Sequence, residues 1–114
     1  MYGLFILLIW TIQNRDRLLE INYSVGGQTK AMGNLRRIVL DVLKPLEPDI
    51  VDLVQKISTL EGVEGVNITI YEIDHHVENA KITVEGEQLS YRSLHDLIVE
   101  TGGAVHSIDE VAAG

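Results

Sequence analysis

Residues 66–87 read VNITIYEIDHHVENAKITVEGE, and the hydrophobic pattern of this stretch decides the fold. Apolar and polar residues alternate over residues 66–74 and again over residues 80–87, with a polar turn, HHVEN, between the two runs. Alternation with a period of two places the apolar side chains on one face of a β-strand. The stretch therefore predicts a β-hairpin whose inward positions are Val66, Ile68, Ile70, Ile82 and Val84.

A strand and a helix precede this hairpin. Residues 35–43, LRRIVLDVL, alternate in the same way and predict the first strand. Pro48 suits a first helical turn, where its missing N–H has no partner to lose. The helix that follows has one apolar stripe at helical spacing, made of Ile50, Leu53, Val54, Ile57 and Leu60.

A second helix and a last strand follow the hairpin. Ser90 is the predicted N-cap of a helix over residues 91–101, which ends at Gly102 and Gly103. Residues 104–111, AVHSIDEV, predict the final strand. The order β-α-β-β-α-β predicts an α+β fold, a ferredoxin-like sandwich. Its sheet is expected to be antiparallel, with strand order 4-1-3-2 and both helices on one face.

The composition of the chain excludes several classes of function. With 114 residues, of which 46% are hydrophobic and 23% charged, the chain is expected to form one core rather than a disordered polymer. Its net charge of −8 repels phosphate, so nucleic acid is not an expected partner. The sequence contains no cysteine, which excludes disulfides, thiolate nucleophiles and iron–sulfur clusters and favours a cytoplasmic protein.

Residues 1–31 differ from the rest of the chain. They have a net charge of +1, whereas residues 32–114 have a net charge of −9. Their apolar run, residues 2–12, is shorter than the roughly 20 residues that a membrane-spanning helix needs, so no membrane partner is expected. Neither a basic stretch before the run nor a cleavage site after it indicates a secretory signal.

Two interpretations of residues 1–31 stay open. One is an extra strand or helix that packs on the domain or on a neighbouring subunit. The other is a translation start assigned too early, because the codons of Gly26 and Gly27 can read as a ribosome-binding site shortly before Met32. Both interpretations divide the chain into a leader, residues 1–31, and a ferredoxin-like domain, residues 32–114.

The sheet face opposite the helices is predicted to be open to solvent. A domain this small buries limited surface by itself, and apolar area left in water costs roughly 25 cal/mol per Å². We therefore expect a homo-oligomer that covers this face, which is formed by Val39, Thr69, Tyr71, Ile73 and Thr83.

Four phrases of the sequence resemble a known family. They are RRIVLDVLKPLEPDI, LEGVEGVNITIYEID, KITVEGE and GGAVHSIDEVAAG. Together they make residues 34–114 similar to an archaeal family known as domain of unknown function 211. The resemblance implies a ferredoxin-like fold, a cytoplasmic protein and self-association into a ring, and it brings no assigned activity. Residues 1–31 have no counterpart in the family pattern.

The hairpin stretch DHHVE is the densest group of metal-binding side chains in the chain. It contains Asp74, His75, His76 and Glu78. Carboxylates suit calcium, magnesium or manganese, whereas imidazoles suit zinc, nickel or copper. Subunits packed in a ring would repeat these carboxylates around an interface, where a divalent cation relieves their repulsion. The sequence therefore predicts a structural divalent cation, calcium first, while a solvated polar turn is the simpler interpretation.

Two other groups of polar residues receive structural interpretations. His106, near the start of the last strand, is expected to pair across the sheet with Asp41 rather than to act in catalysis. At the other end of the sheet, Arg36 and Arg37 lie among many acidic residues and are expected to form ion pairs. An anion site beside the helix start at Ser90 is the alternative there.

No catalytic signature is present, because the chain lacks G-x-S-x-G, a Walker loop, HExxH and a dinucleotide fingerprint. The sequence thus favours a non-catalytic, homo-oligomeric binding or scaffold module in the cytoplasm, with a divalent cation at the hairpin. The alternative is a regulatory small-molecule sensor of the ACT type, with its ligand between subunits near the glycine turns LEGVEG and TGG.

Overall fold

The structure, a computed structural model, describes residues 32–114, and the predictions for residues 1–31 lie outside the described residues. Four strands and two helices follow one another in the predicted order. None of the helices in residues 32–114 has the length and apolar composition needed to span a membrane. The elements are β1 (Leu35–Pro45), α1 (Ile50–Ser58), β2 (Val63–Asp74), β3 (Val77–Gly86), α2 (Tyr91–Glu100) and β4 (Ala104–Ala113).

The four strands form one antiparallel sheet in the order β2-β3-β1-β4. This is the predicted order 4-1-3-2 counted from the opposite edge, so the ferredoxin-like topology is confirmed. β1 and β3 are the two central strands and pair with each other through Leu40 and Ile82. β2 and β4 are the edge strands.

The core lies between one face of the sheet and both helices. Alternate residues of β1 and β3 point to this face, where they meet the apolar stripes of α1 and α2. Burying each such aliphatic side chain contributes about 1.5–3 kcal/mol, so this layer supplies most of the driving force for folding. The apolar residues on the helix side that are at most 2% exposed are Ile38, Leu40, Val42, Leu53, Ile57, Ala80, Ile82, Val84, Leu94 and Ile98.

Side-chain caps determine where both helices begin. Asp49 Oδ1 accepts a hydrogen bond from the Asp52 amide at 2.9 Å, so α1 begins after Asp49, and Pro48 precedes the cap rather than lying within the first turn. Ser90 Oγ accepts from the Ser93 amide at 3.2 Å, which confirms Ser90 as the N-cap of α2. α2 is followed by Gly102, whose φ of +88° suits glycine.

The hairpin between β2 and β3 is tighter than predicted. Asp74 pairs with Val77, which leaves only His75 and His76 as the turn instead of the five-residue segment HHVEN. His75 has a φ of +48°, as expected for a two-residue hairpin turn, whose central residues favour positive φ. β3 therefore begins three residues earlier than its hydrophobic alternation indicates, because Val77, Glu78 and Asn79 continue the backbone ladder.

The prediction that Ile73 lies on the open face is wrong. The register of β2 shifts between Ile70 and Glu72, so Ile73 pairs with Glu78 and lies on the helix side of the sheet. Val39, Thr69 and Thr83 do lie on the open face.

The open face is also more polar than expected, since every strand places charged residues there. Val39, its most central apolar residue, is only 2% exposed. The register places on this face Arg37, Asp41, Glu72, Lys81, Glu85 and Glu110.

Candidate functional site

The hairpin turn presents its side chains to solvent. Asp74 and His75 lie side by side, with 3.7 Å between Asp74 Oδ1 and His75 Nε2, and their side chains are 73% and 89% exposed. The rings of His75 and His76 are 6.5 Å apart, centroid to centroid. These three predicted ligands are therefore neighbours on the molecular surface.

Glu78, the fourth predicted ligand, lies elsewhere. Its side chain is on the helix side of the sheet, only 10% exposed, and pairs with Lys44 at 3.2 Å between Oε1 and Nζ. A strand places successive side chains on opposite faces, and this separates Glu78 from the open-face position of Val77. The structure thus does not bring Asp74, His75, His76 and Glu78 together within the chain.

No cation site is complete in the described part of the chain. Among residues 32–114, no three histidine or acidic side chains converge in a geometry that holds a metal ion. An ion at the hairpin turn would consequently need donors from another subunit or from water in addition to Asp74 and its neighbouring histidines.

Lys44 is a buried cation with three oxygen partners. Its side chain is 2% exposed, and besides Glu78 its Nζ donates to the carbonyl oxygens of Pro45 at 2.7 Å and Leu46 at 3.3 Å. Every hydrogen that the ammonium group can donate therefore has an acceptor. This group links the end of β1 to the beginning of β3.

Asp41 does not pair with His106 as predicted. A register shift between Asp41 and Val42 leaves His106 without a partner in the ladder, because Val105 pairs with Val42 and Ser107 pairs with Asp41. His106 is exposed. Asp41 instead accepts a hydrogen bond from the hydroxyl of Tyr71, which raises the pKa of Tyr71 to about 12.

The arginines at the other end of the sheet form the predicted ion pairs. Arg37 donates to Glu85 on β3 and to Glu110 on β4, and the hydrogen bond to Glu110 is the main cause that raises the pKa of Arg37. Arg36 Nε lies 3.7 Å from Glu87 Oε1. A wide groove of about 330 Å³ runs beside these side chains. Because both guanidinium groups already face carboxylates, the alternative of an anion site loses its support.

Exposed apolar side chains concentrate at one end of the sheet. This end, called the hairpin end here, is where β1 and β2 finish and where β3 and β4 begin. Its exposed residues come from the ends of β1 and β2, the start of β3, the first turn of α1 and the loop before α1. They are Leu43 at 39%, Leu46 at 44%, Val51 at 58%, Tyr71 at 56%, Ile73 at 66% and Val77 at 41% exposed.

A small crevice lies beside the N-terminus of α2. It has a volume of about 80 Å³ and is lined by apolar residues from both layers and by the polar residues Glu61, Gln88, Ser90 and Ser93. Ser90 is engaged as the helix cap. The crevice is thus a shallow, mostly apolar depression next to the glycine-containing turn after α1.

The buried pair of Lys44 and Glu78 was missed by sequence reasoning, although a signal for it exists. Lys44 is the next position on the helix side of β1 after Val42, and Glu78 is the position on the helix side of β3 that precedes Ala80. Two opposite charges at core positions of paired strands indicate an ion pair. The sequence pattern does not reveal this pair, because the strands that it predicts are too short at this end, β1 by two residues and β3 by three.

Two comparisons with known proteins identify the family of the chain. The family model DUF211, described as Uncharacterized ArCR, matches residues 36–114. A protein of Methanocaldococcus jannaschii, named Uncharacterized protein MJ0319, is 52% identical over 83 residues, which are 73% of this chain and 86% of that protein. Both matches coincide with the resemblance that the four sequence phrases carry.

Proposed function

The chain belongs to the DUF211 family, and from this premise we propose that it is a non-catalytic cytoplasmic module that assembles with further copies of itself through the hairpin end. The observation that carries the proposal is the group of six exposed apolar side chains at that end. Exposed apolar side chains grouped at one end of a small domain are typical of interaction sites, because leaving apolar area in water is costly.

The observations favour a second copy of the chain as the partner that covers the hairpin end. At the opposite end, Arg36 and Arg37 already face acidic side chains of their own subunit, so that end offers a partner little unpaired positive charge. The resemblance to the family also implies self-association. We therefore assign the hairpin end as the face at which subunits meet. It replaces the open face expected from the sequence, because all four strands place charged residues on that face.

A divalent cation at the hairpin turn belongs to the same proposal, with calcium as the first candidate. Asp74, His75 and His76 are the exposed donors, and Glu78 is excluded because Lys44 holds it. Residues 32–114 have a net charge of −9, so copies that meet at this end bring like charges together. A cation shared between turns would reduce that repulsion.

The proposal is tested by two matched substitutions on the two edge strands. Ile73 on β2 is 66% exposed and Ile108 on β4 is 50% exposed, and both lie on the helix side of the sheet. Native mass spectrometry should show that Ile73→Asp dissociates the assembly, whereas Ile108→Asp leaves its subunit number unchanged. An assembly that survives Ile73→Asp and is lost in Ile108→Asp would overturn the assignment of the hairpin end.

A regulatory small-molecule sensor is the second candidate, and the crevice beside α2 is the observation that favours it. Its volume of about 80 Å³ holds only a few non-hydrogen atoms, so a ligand there would need a neighbouring subunit to complete the site. A thermal-shift screen separates the two candidates. Stabilisation by amino acids or nucleotides supports the sensor, and stabilisation by divalent ions alone supports the assembly module.

A further inference from the structure

The buried ammonium group of Lys44 occupies a site built from oxygen atoms. Two backbone carbonyls, those of Pro45 and Leu46, and one carboxylate oxygen of Glu78 lie 2.7–3.3 Å from Nζ. The side chain is 2% exposed, and no buried side-chain nitrogen or oxygen in residues 32–114 lacks a hydrogen-bond partner. The site is therefore closed to solvent, and each of its buried side-chain polar atoms has a hydrogen-bond partner.

The chemistry of these three oxygens is that of a cation site. Carbonyl and carboxylate oxygens are the ligands that hard cations take in proteins, and a primary ammonium group has three N–H donors, one for each oxygen. A buried carboxylate needs such a cation, because leaving it unpaired in a low-dielectric interior is strongly unfavourable.

We propose that Pro45, Leu46 and Glu78 form an internal site for a small monovalent cation, which Lys44 fills with its own ammonium group. When the lysine side chain is shortened, the site takes a free primary alkylammonium ion in its place. The inference does not depend on self-assembly, since every contact that carries it lies within one chain.

The site has a structural consequence at the hairpin end. The Lys44 ammonium joins the chain segment leaving β1, through the carbonyls of Pro45 and Leu46, to Glu78 on β3. The hydrogen bond from Lys44 to the Leu46 carbonyl thus also fixes the position of Leu46, one of the exposed apolar residues at this end. Lys44 is in this sense a positioning residue for the loop that leads to α1.

Chemical rescue tests the proposal. Lys44→Ala removes the ammonium and leaves space that matches propylammonium. Its Tm should fall by more than about 10 °C. It should recover with saturation as propylammonium chloride is added, but not with equal concentrations of tetramethylammonium chloride. Lys81→Ala is the matched control, because Lys81 is an exposed lysine on the neighbouring strand and its loss changes the charge equally. If propylammonium stabilises Lys44→Ala no more than it stabilises Lys81→Ala, the proposal is overturned.

A measurement on the unaltered protein keeps the inference testable if Lys44→Ala fails to fold. In ¹⁵N NMR, the ammonium protons of Lys44 should exchange slowly with water and show hydrogen-bond couplings to the carbonyl carbons of Pro45 and Leu46. The ammonium of Lys81 should exchange fast. Equally fast exchange at both lysines would contradict a closed site.

Discussion

Tyr71 on β2 donates a hydrogen bond across β3 to the carboxylate of Asp41 on β1. The contact joins three strands on the open face of the sheet. The hydrogen bond to the ionised carboxylate favours the neutral phenol, and nearby negative charge acts in the same direction. The pKa of Tyr71 is consequently raised from 10.0 to about 12.

This contact predicts the alkaline behaviour of the protein. Between the unfolded pKa of 10.0 and the folded value of about 12, the folded state keeps a proton that the unfolded state has lost. The stabilisation is therefore complete below pH 10 and is lost as the pH rises towards 12. Tyr71→Phe should remove this part of the pH dependence in urea unfolding.

The same contact is open to direct titration. With ¹³C-labelled tyrosine, the Tyr71 ring should titrate near pH 12 in the native protein and closer to 10 in Asp41→Asn. The Tyr71→Phe protein identifies the resonance. A native Tyr71 that titrates at 10 would show that the hydrogen bond to Asp41 does not form.

The buried pair on the other face predicts a large and non-additive effect on stability. Lys44→Met leaves Glu78 buried without a partner and should lower the free energy of unfolding by about 3–5 kcal/mol. The double variant, Lys44→Met with Glu78→Met, should recover most of that loss, because it leaves no unpaired charge. Urea unfolding measures both, and Lys81→Met should change stability by less than about 0.5 kcal/mol. Equal losses in the single and double variants would argue against a buried ion pair.

The two glycines of LEGVEG are predicted to differ sharply. Gly62 has a φ of +84°, and a Cβ there would overlap the carbonyl oxygen of Glu87, whereas a Cβ on Gly65 meets nothing within 4 Å. Gly62→Ala should therefore cost more than about 1–3 kcal/mol, the usual cost of backbone strain alone. Gly65→Ala should be nearly neutral. Thermal unfolding of the two variants side by side tests the difference, and similar melting temperatures would contradict it.

Calcium binding at the hairpin turn predicts a concentration-dependent stabilisation. A ligand that binds only the folded protein raises the unfolding free energy by RT ln(1 + [L]/Kd), so calcium should raise Tm progressively. Asp74→Asn should abolish the rise, whereas Asp96→Asn on α2 should leave it intact. If neither calcium, zinc nor another divalent ion raises Tm, the hairpin turn is not a cation site.

Most of the fold follows from short-range patterns in the sequence. The alternation in VNITIYEID and AKITVEGE and the helix signals at Ser90 and Gly102 predict the element order, and the order predicts the sheet. The position of Ile73 does not follow from these patterns. The alternation continues smoothly through it, while the register shift between Ile70 and Glu72 depends on the partner strand.

The candidate site was less predictable because it depends on strand ends. β1 is two residues longer and β3 three residues longer at this end than predicted, and this places Glu78 in the core beside Lys44 instead of in a polar loop. Element boundaries are the weakest part of any interpretation from sequence pattern. The apolar hairpin end could not be predicted either, because its residues come from four separate elements and the loop before α1.

Sedimentation equilibrium of the unaltered chain at micromolar concentration tests the central claim of self-assembly most directly. We expect a mass that is an integer multiple of 12.7 kDa and that falls towards 12.7 kDa in Ile73→Asp. A single species of 12.7 kDa throughout the concentration range, with or without calcium, would contradict it.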